Sequence, residues 1–353
     1  MSVEKRVGRI GSHASIEAPI RLWALHGFVW FAFSLYCWAA WIVGPDFTPN
    51  TIGREDAPQW YVTWVRCVEA ISAVGTLVIL HQFVLKPVLK TGRLSFDGIF
   101  VLSCWMLYIQ EPWINYTQHQ FLYTTVAFNF GSWCRYVPGW NSPHPELIPV
   151  GTFLWCTAYL TLVAMPAVAG SRFMTWLRSR HPGMSLAKVL GATLLAFVVF
   201  DFLLESLILR TGLFSYSTTV PWLTLWAGEP YQFPLYEVVS WCAVYTGLAA
   251  IHHFRDDKGF AFAERGVDQL RVPEVARTWL RFLATMGLCQ LVLLFAYMIP
   301  YQFWSMQGGP YPEYARYRTA GLCGPDTAFD CPGPNVLVPR AGAATNRTTP
   351  VDP

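Results

Sequence analysis

Asp201 and Glu205 stand four residues apart in FVVFDFLLESLILRTGLFSY (Phe197–Tyr216), a stretch otherwise as apolar as a membrane helix. Four residues is one helical turn, so on a helix the two carboxyls share a face. Neither has a basic neighbour in that stretch before Arg210. Two carboxyl groups crowded into an apolar setting cannot both carry charge, so at least one is expected to hold its proton at neutral pH. A neutral carboxylic acid in a dry cavity can act as a general acid, or donate a hydrogen bond to a substrate oxygen. The plainer alternative is hydrogen bonding between helices with no chemistry attached.

The elements that must position this pair are membrane helices. Of the 353 residues, 54% are hydrophobic and 13% are charged, against roughly 25% charged in an ordinary soluble domain. Several apolar runs exceed the length needed to cross a hydrocarbon core about 30 Å thick. The sequence predicts an all-α, polytopic integral membrane bundle with about seven transmembrane helices: Leu22–Val43, Trp60–Leu85, Asp97–Tyr116, Leu147–Gly170, Leu186–Leu209, Pro234–His253 and Thr278–Pro300. The basic segment Met1–Arg21 precedes a full-length apolar run without a small-residue cleavage site, so that run is expected to be the first span and not a signal peptide. Residues 1–300 are expected to form one transmembrane domain. Residues 301–353, rich in Gly, Pro and polar residues, are expected to form a tail outside the membrane that is partly disordered at its end.

Basic residues alternate along the chain. Lys5, Arg6, Arg9 and Arg21 precede the first span. Lys86, Lys90 and Arg93 fall between spans two and three, and Arg172, Arg178 and Arg180 between four and five. Arg255, Lys258, Arg265, Arg271 and Arg277 fall between six and seven. The other loops hold Arg54, Arg135 and Arg210. The excess of Lys and Arg on cytoplasmic loops then places the N-terminus in the cytoplasm and the C-terminus outside the cell membrane. Cys323 and Cys331 fall on the outer, oxidising side, where a disulfide is permitted. The other seven cysteines read as small buried hydrophobes.

With that topology, six ionisable residues set well inside spans fall in the outer half of the bilayer at about 1.5 Å per residue. They are Arg66 and Glu69, Glu111, Asp201 and Glu205, and Glu237. Intramembrane charge is costly and by default marks function, so the six are expected to line one polar cavity opening outward. Arg66 and Glu69, three apart, can also pair as a purely structural solution. Two outer loops are aromatic and short of charge: Glu111–Trp140 and Gly212–Glu237. Interfacial aromatic belts account for part of this. Asn115, Tyr116, Gln118, His119, Asn129, Trp133, Tyr216, Tyr231 and Gln232 are the loop residues expected to face a cavity as lid or wall. Asn115 and Asn346 match the N-glycosylation pattern, a short motif that arises readily by chance. No metal cluster, phosphate-binding loop, dinucleotide fingerprint or nucleophile motif is evident, so neither a cofactor nor a metal is expected, and nothing points to nucleic acid.

Five segments together carry a likeness to a known family. WYVTWVRCVE (Trp60–Glu69), EPWINY (Glu111–Tyr116), FNFGSWCRYVPGW (Phe128–Trp140), FDFLLESLILRTGLFSY (Phe200–Tyr216) and GEPYQFPLYE (Gly228–Glu237) resemble AveC-like spirocyclases. These are membrane proteins associated with macrolide polyketide biosynthesis. The resemblance implies closure of a dihydroxy ketone to a spiroketal with loss of water, or dehydration, by carboxyl acid/base groups: Asp201, Glu205, Glu237 and Glu111. It implies an apolar, polyketide-like substrate dissolved in the bilayer. Two other readings stay open. PLYE (Pro234–Glu237) is also similar to an element of membrane carotenoid and terpenoid cyclases. A transporter or receptor could also carry buried charge, although no internal repeat of the transporter kind is seen.

Overall fold

The structure is a computed structural model and describes residues 19–305, 309, 311–324, 327 and 331. Lys5, Arg6, Arg9, Asn346 and the rest of the tail from residue 332 lie outside the described residues. The chain is a helical membrane bundle with seven main helices in chain order. They are α1 (Pro19–Val43), α2 (Gln59–Thr91), α3 (Phe96–Trp105), α4 (Trp155–Arg180), α5 (Leu186–Thr211), α6 (Leu235–His253) and α7 (Glu274–Trp304). Five of them, α1, α2, α4, α5 and α7, are long and apolar enough to cross a membrane. Their outer faces are strongly apolar, as at Leu22, Leu25, Leu195, Leu203 and Leu207.

The third and sixth expected spans differ from the other five for a physical reason. They are inner elements. α6 packs against α4, α5 and α7, and buries most of its circumference, from Tyr236 and Val238 to Leu248 and His252, with Val239 left exposed. The packed faces of this helix hold Glu237 and His252 out of contact with lipid. α3 is α-helical for ten residues and then tightens to a 3₁₀ helix over Met106–Asn115, which contains Pro112. Proline lacks the amide hydrogen that an α-helical ladder requires. Span four also differs from expectation. α4 begins at Trp155 and runs on to Arg180, while Leu147–Leu154 is not α-helical.

The helices leave two unlike ends. At the basic end, His252 joins three helices: its Nδ1 lies 2.9 Å from Ser171 Oγ, and its Nε2 lies 3.1 Å from Asp97 Oδ1. The other end is capped by the aromatic loops. Strands β1 (Phe121–Tyr123) and β2 (Phe214–Tyr216) pair antiparallel, with Phe121 opposite Tyr216 and Tyr123 opposite Phe214. Strands β3 (Thr224–Leu225) and β4 (Phe233–Pro234) pair likewise beside them. Part of the C-terminal segment lies over this cap. Thr125 N donates to Tyr317 O at 2.8 Å, and the Tyr314 hydroxyl donates to Tyr216 O at 2.8 Å. A Cys323–Cys331 disulfide closes a short loop at its edge.

Candidate active site

The site forms where α5 meets α6 under the cap. Asp201 and Glu205 are both buried on one face of α5, as their spacing requires. The extended Phe233–Pro234 strand leads directly into α6, so Glu237 enters from the first turn of that helix. One oxygen from each of the three carboxyls lies within 4.8 Å of the other two. Glu205 is the hub. It shares hydrogen bonds with Asp201 and Glu237, and its Oε1 accepts from the Tyr216 hydroxyl at 2.5 Å. Asp201 Oδ2 and Glu237 Oε2 are buried without a protein partner.

Tyr216 reaches Glu205 because the chain turns sharply after α5. Gly212 ends that helix in the left-handed region, at φ 74°. A side chain there would also collide with the Arg318 guanidinium, so the turn needs glycine. The Tyr216 carbonyl is then held by the Gln232 amide at 2.8 Å as well as by Tyr314.

The three carboxyls line a cavity of about 110 Å³. One water needs roughly 10–15 Å³ on this measure, so there is room for several waters or a small part of a larger molecule. Glu111 lines the same cavity from the 3₁₀ segment. Its Oε2 accepts from the Tyr159 hydroxyl at 2.8 Å and its Oε1 from the Tyr123 hydroxyl at 3.1 Å. The remaining lining is apolar or aromatic, including Ile114, Phe121, Trp155, Phe214 and Trp241, with Tyr245 and Tyr297. No lysine or arginine is among the lining residues. The group Asp201, Glu205 and Glu237 could offer three oxygens to one cation, or could hold and pass protons. The same atoms suit either task.

Of the cavity tyrosines, the sequence reading picked out Tyr216 and missed Tyr123, Tyr159, Tyr245 and Tyr297. Tyr159 and Tyr297 each sit in a widened π-helical turn, Tyr159–Ala164 in α4 and Leu294–Met298 in α7. Such turns are frequent at functional sites. The usable signal was a tyrosine deep within an apolar span, where its hydroxyl must find a partner. Tyr159, Tyr245 and Tyr297 all meet that description.

Comparison with protein families decides what kind of bundle this is. The family model Spirocyclase AveC-like matches residues 91–320. The chain belongs to the AveC-like family. That match takes in Glu111, Asp201, Glu205 and Glu237, together with every helix from α3 onward and the covering segment up to Ala320. It leaves out α1 and nearly all of α2. No curated protein and no solved structure matches the chain. AveC-like membership points to a cyclase, and so to an enzyme.

The other residues expected at the site of this AveC-like protein lie around the cavity and do not line it. Arg66 pairs with Glu69 and donates to Val126 O at 2.7 Å, while Glu69 Oε1 accepts from Phe128 N at 2.7 Å. The pair therefore fastens the 126–128 loop to α2. Asn115 Oδ1 accepts from the amides of Gln120 and Phe121, at 2.7 and 2.8 Å, and sets the entry to β1. Asn129 ties the same loop to Asn50, accepting from its amide at 2.9 Å. Trp133 is buried and donates to Ile109 O at 2.9 Å. Tyr116 donates to Pro138 O at 2.9 Å. Arg210 lies over the rings of Tyr231 and Trp226, 4.4 and 4.7 Å from their centroids. His119 is buried away from the cavity, and desolvation pushes its pKa down to about 3, so it is neutral.

Proposed function

We propose that this AveC-like protein closes a dihydroxy ketone of polyketide type to a spiroketal, with loss of one water, by acid/base chemistry at Asp201, Glu205 and Glu237. The observation that carries the reading is the meeting of three carboxyls in an apolar cavity that no basic residue lines. The unpartnered oxygens of Asp201 and Glu237 are the ones free to touch substrate. One substrate hydroxyl adds to the ketone carbon and gives a hemiketal. A protonated carboxyl then donates its proton to the hemiketal oxygen, the carbon–oxygen bond breaks, and water leaves. The second hydroxyl attacks the resulting oxocarbenium carbon and returns its proton to a carboxylate. The acid ends as it began, and the redox-neutral sequence needs no cofactor.

In this reading Tyr216 holds the Glu205 oxygen that does not face substrate. Glu111, already accepting from two hydroxyls, presents a carboxyl toward the cationic carbon. Such electrostatic support counts most where water is excluded. Arg66, Glu69, Asn115, Tyr116, Asn129, Trp133, Tyr231 and Gln232 act through the loops they hold, as positioning residues. The basic-residue pattern supports an orientation in the cell membrane with the capped end outside and the N-terminus in the cytoplasm.

The test is turnover in membranes with candidate dihydroxy-ketone polyketides, scored by mass for loss of water. Asp201→Asn and Glu205→Gln are each expected to lower it by at least about 10²-fold, while melting stays at or above wild type. Wild-type turnover in both variants contradicts the assignment.

A further inference from the structure

The cavity is not sealed, and its opening has a direction. Most of its lining is buried, from Ile114 and Tyr123 to Tyr297 and Met298. Of the six partly exposed lining residues, four lie on two helices: Trp155 and Leu162 on α4, Leu204 and Ile208 on α5. The remaining two, Glu111 and Trp241, come from different elements. Leu204 and Ile208 are one turn apart and flank the buried Asp201–Glu205 stripe. Beside them the α5 surface is fully lipid-type, with Leu203 and Leu207 more than 60% exposed (63% and 64%). Leu162 shares a face with Pro166 and Ala169, which are partly or largely exposed.

Both ends of this seam are closed. At the capped end Trp155 packs on Phe214, with centroids 5.4 Å apart, and Phe214 stacks on Phe121 at 4.6 Å. Toward the basic end, Gly170 of α4 leaves room for the Phe197 ring of α5, which stacks on Tyr245 at 5.0 Å. Tyr245 in turn donates to Leu162 O at 2.8 Å. Between these two closures the seam is bordered by leucine and isoleucine. Ile208 lies three residues before the end of α5, about 5 Å along its axis, and Asp201 about 15 Å. With α5 crossing the bilayer, the gap opens toward the hydrocarbon layer.

We infer that the carboxyl cavity is entered sideways from the bilayer, through a portal between Leu162 of α4 and Leu204 and Ile208 of α5, by a lipophilic, membrane-dissolved substrate. The portal deepens the reading of this cavity as the active site and rests on it. Its test does not use turnover, so the two can fail separately.

The probe is dicyclohexylcarbodiimide, an apolar reagent that partitions into lipid. The O–H of a protonated carboxyl adds across one C=N bond of the carbodiimide. Oxygen bonds to the central carbon, the proton goes to nitrogen, and nothing leaves. The adduct is located by peptide mass in the full-length protein in phosphatidylcholine vesicles. The expected result is labelling within Asp201, Glu205 and Glu237 by this reagent, and at least several-fold less by a water-soluble, cationic carbodiimide. Leu162→Trp with Leu204→Trp should slow labelling several-fold. Leu204→Ala should speed it, and so keeps the test decisive if the plugged variant melts early. Leu203→Trp, on the lipid face next door, should label at the wild-type rate. Equal labelling by both reagents, no adduct with the lipid-soluble one, or unchanged rates in both Leu204 variants would overturn the portal.

Discussion

Glu69 and Glu205 are the same residue at comparable depth in the same bundle, and their surroundings are opposite. Both lie within about 15 Å of the capped end of their helices. Glu69 is paired with Arg66 and accepts a backbone amide, so each of its oxygens has a donor. Glu205 has no cation. Its neighbours are two more carboxyls and a tyrosine hydroxyl. A buried carboxylate with a guanidinium and an amide is a finished structural joint, and here it fastens a loop. A buried carboxyl among other carboxyls is not finished, because its stability depends on protons whose positions can change. The cost of such a cluster is understandable if proton movement is what it is for.

The comparison can be broken or sharpened by substitution. The largest effect is expected at the cluster. Glu205→Gln should lower turnover about 10²–10⁴-fold, the usual contribution of a general acid or base, with the melting temperature at or above wild type because one ionisable group leaves a crowded site. Glu69→Ala should do the reverse. It strands Arg66 and frees the 126–128 loop, for a loss of about 2 kcal/mol in stability, reduced from the fully buried case because Arg66 is 44% exposed. Turnover per folded molecule should stay within a few-fold. A chemical or thermal unfolding series on both variants, read beside turnover, separates the two classes of carboxyl. If Glu69→Ala loses turnover as deeply as Glu205→Gln without unfolding, the division between them is wrong.

Smaller effects test the edges of the site. Tyr159→Phe removes a hydroxyl donated to Glu111 and should cost about tenfold in kcat, in line with one buried hydrogen bond to a carboxyl, while expression is unchanged. Tyr231→Ala removes one of the two rings beside Arg210. It should cost only about 0.5–1 kcal/mol in stability, with kcat unaltered. A large kcat effect there would make the Arg210 platform part of the site instead of part of its frame.

The bundle was readable because hydropathy and the alternation of basic loops report on whole segments. α3 and α6 were expected from the same alternation, and the structure has helices there although α3 is short and α6 falls outside the five long apolar helices. The carboxyls were readable because Asp and Glu are rare in lipid. Depth along a helix follows from counting residues, which placed Arg66, Glu69, Glu111, Asp201, Glu205 and Glu237 at one end. The direction a helix face points does not follow from counting. Arg66 and Glu69 were therefore expected in the cavity with the others, although α2 turns them to the 126–128 loop. Asp201 and Glu205 were grouped correctly because their spacing puts them on one face wherever that face points. Apart from Tyr216, the tyrosines of the cavity were hidden by background. With 16% aromatic residues, Tyr159, Tyr245 and Tyr297 read as belt and core, and only the pairing of helices gives their hydroxyls a meaning.

The most direct measurement follows the ketone oxygen. A dihydroxy ketone labelled with heavy oxygen at the carbonyl is incubated with the protein in lipid vesicles, and the product is weighed. The expected product is one water lighter with the label gone, because ketal closure expels the former ketone oxygen, and Glu205→Gln is expected to give little or none of it. A product one water lighter that keeps the label would mean dehydration elsewhere in the chain, and an active Glu205→Gln would remove the acid cluster from the chemistry.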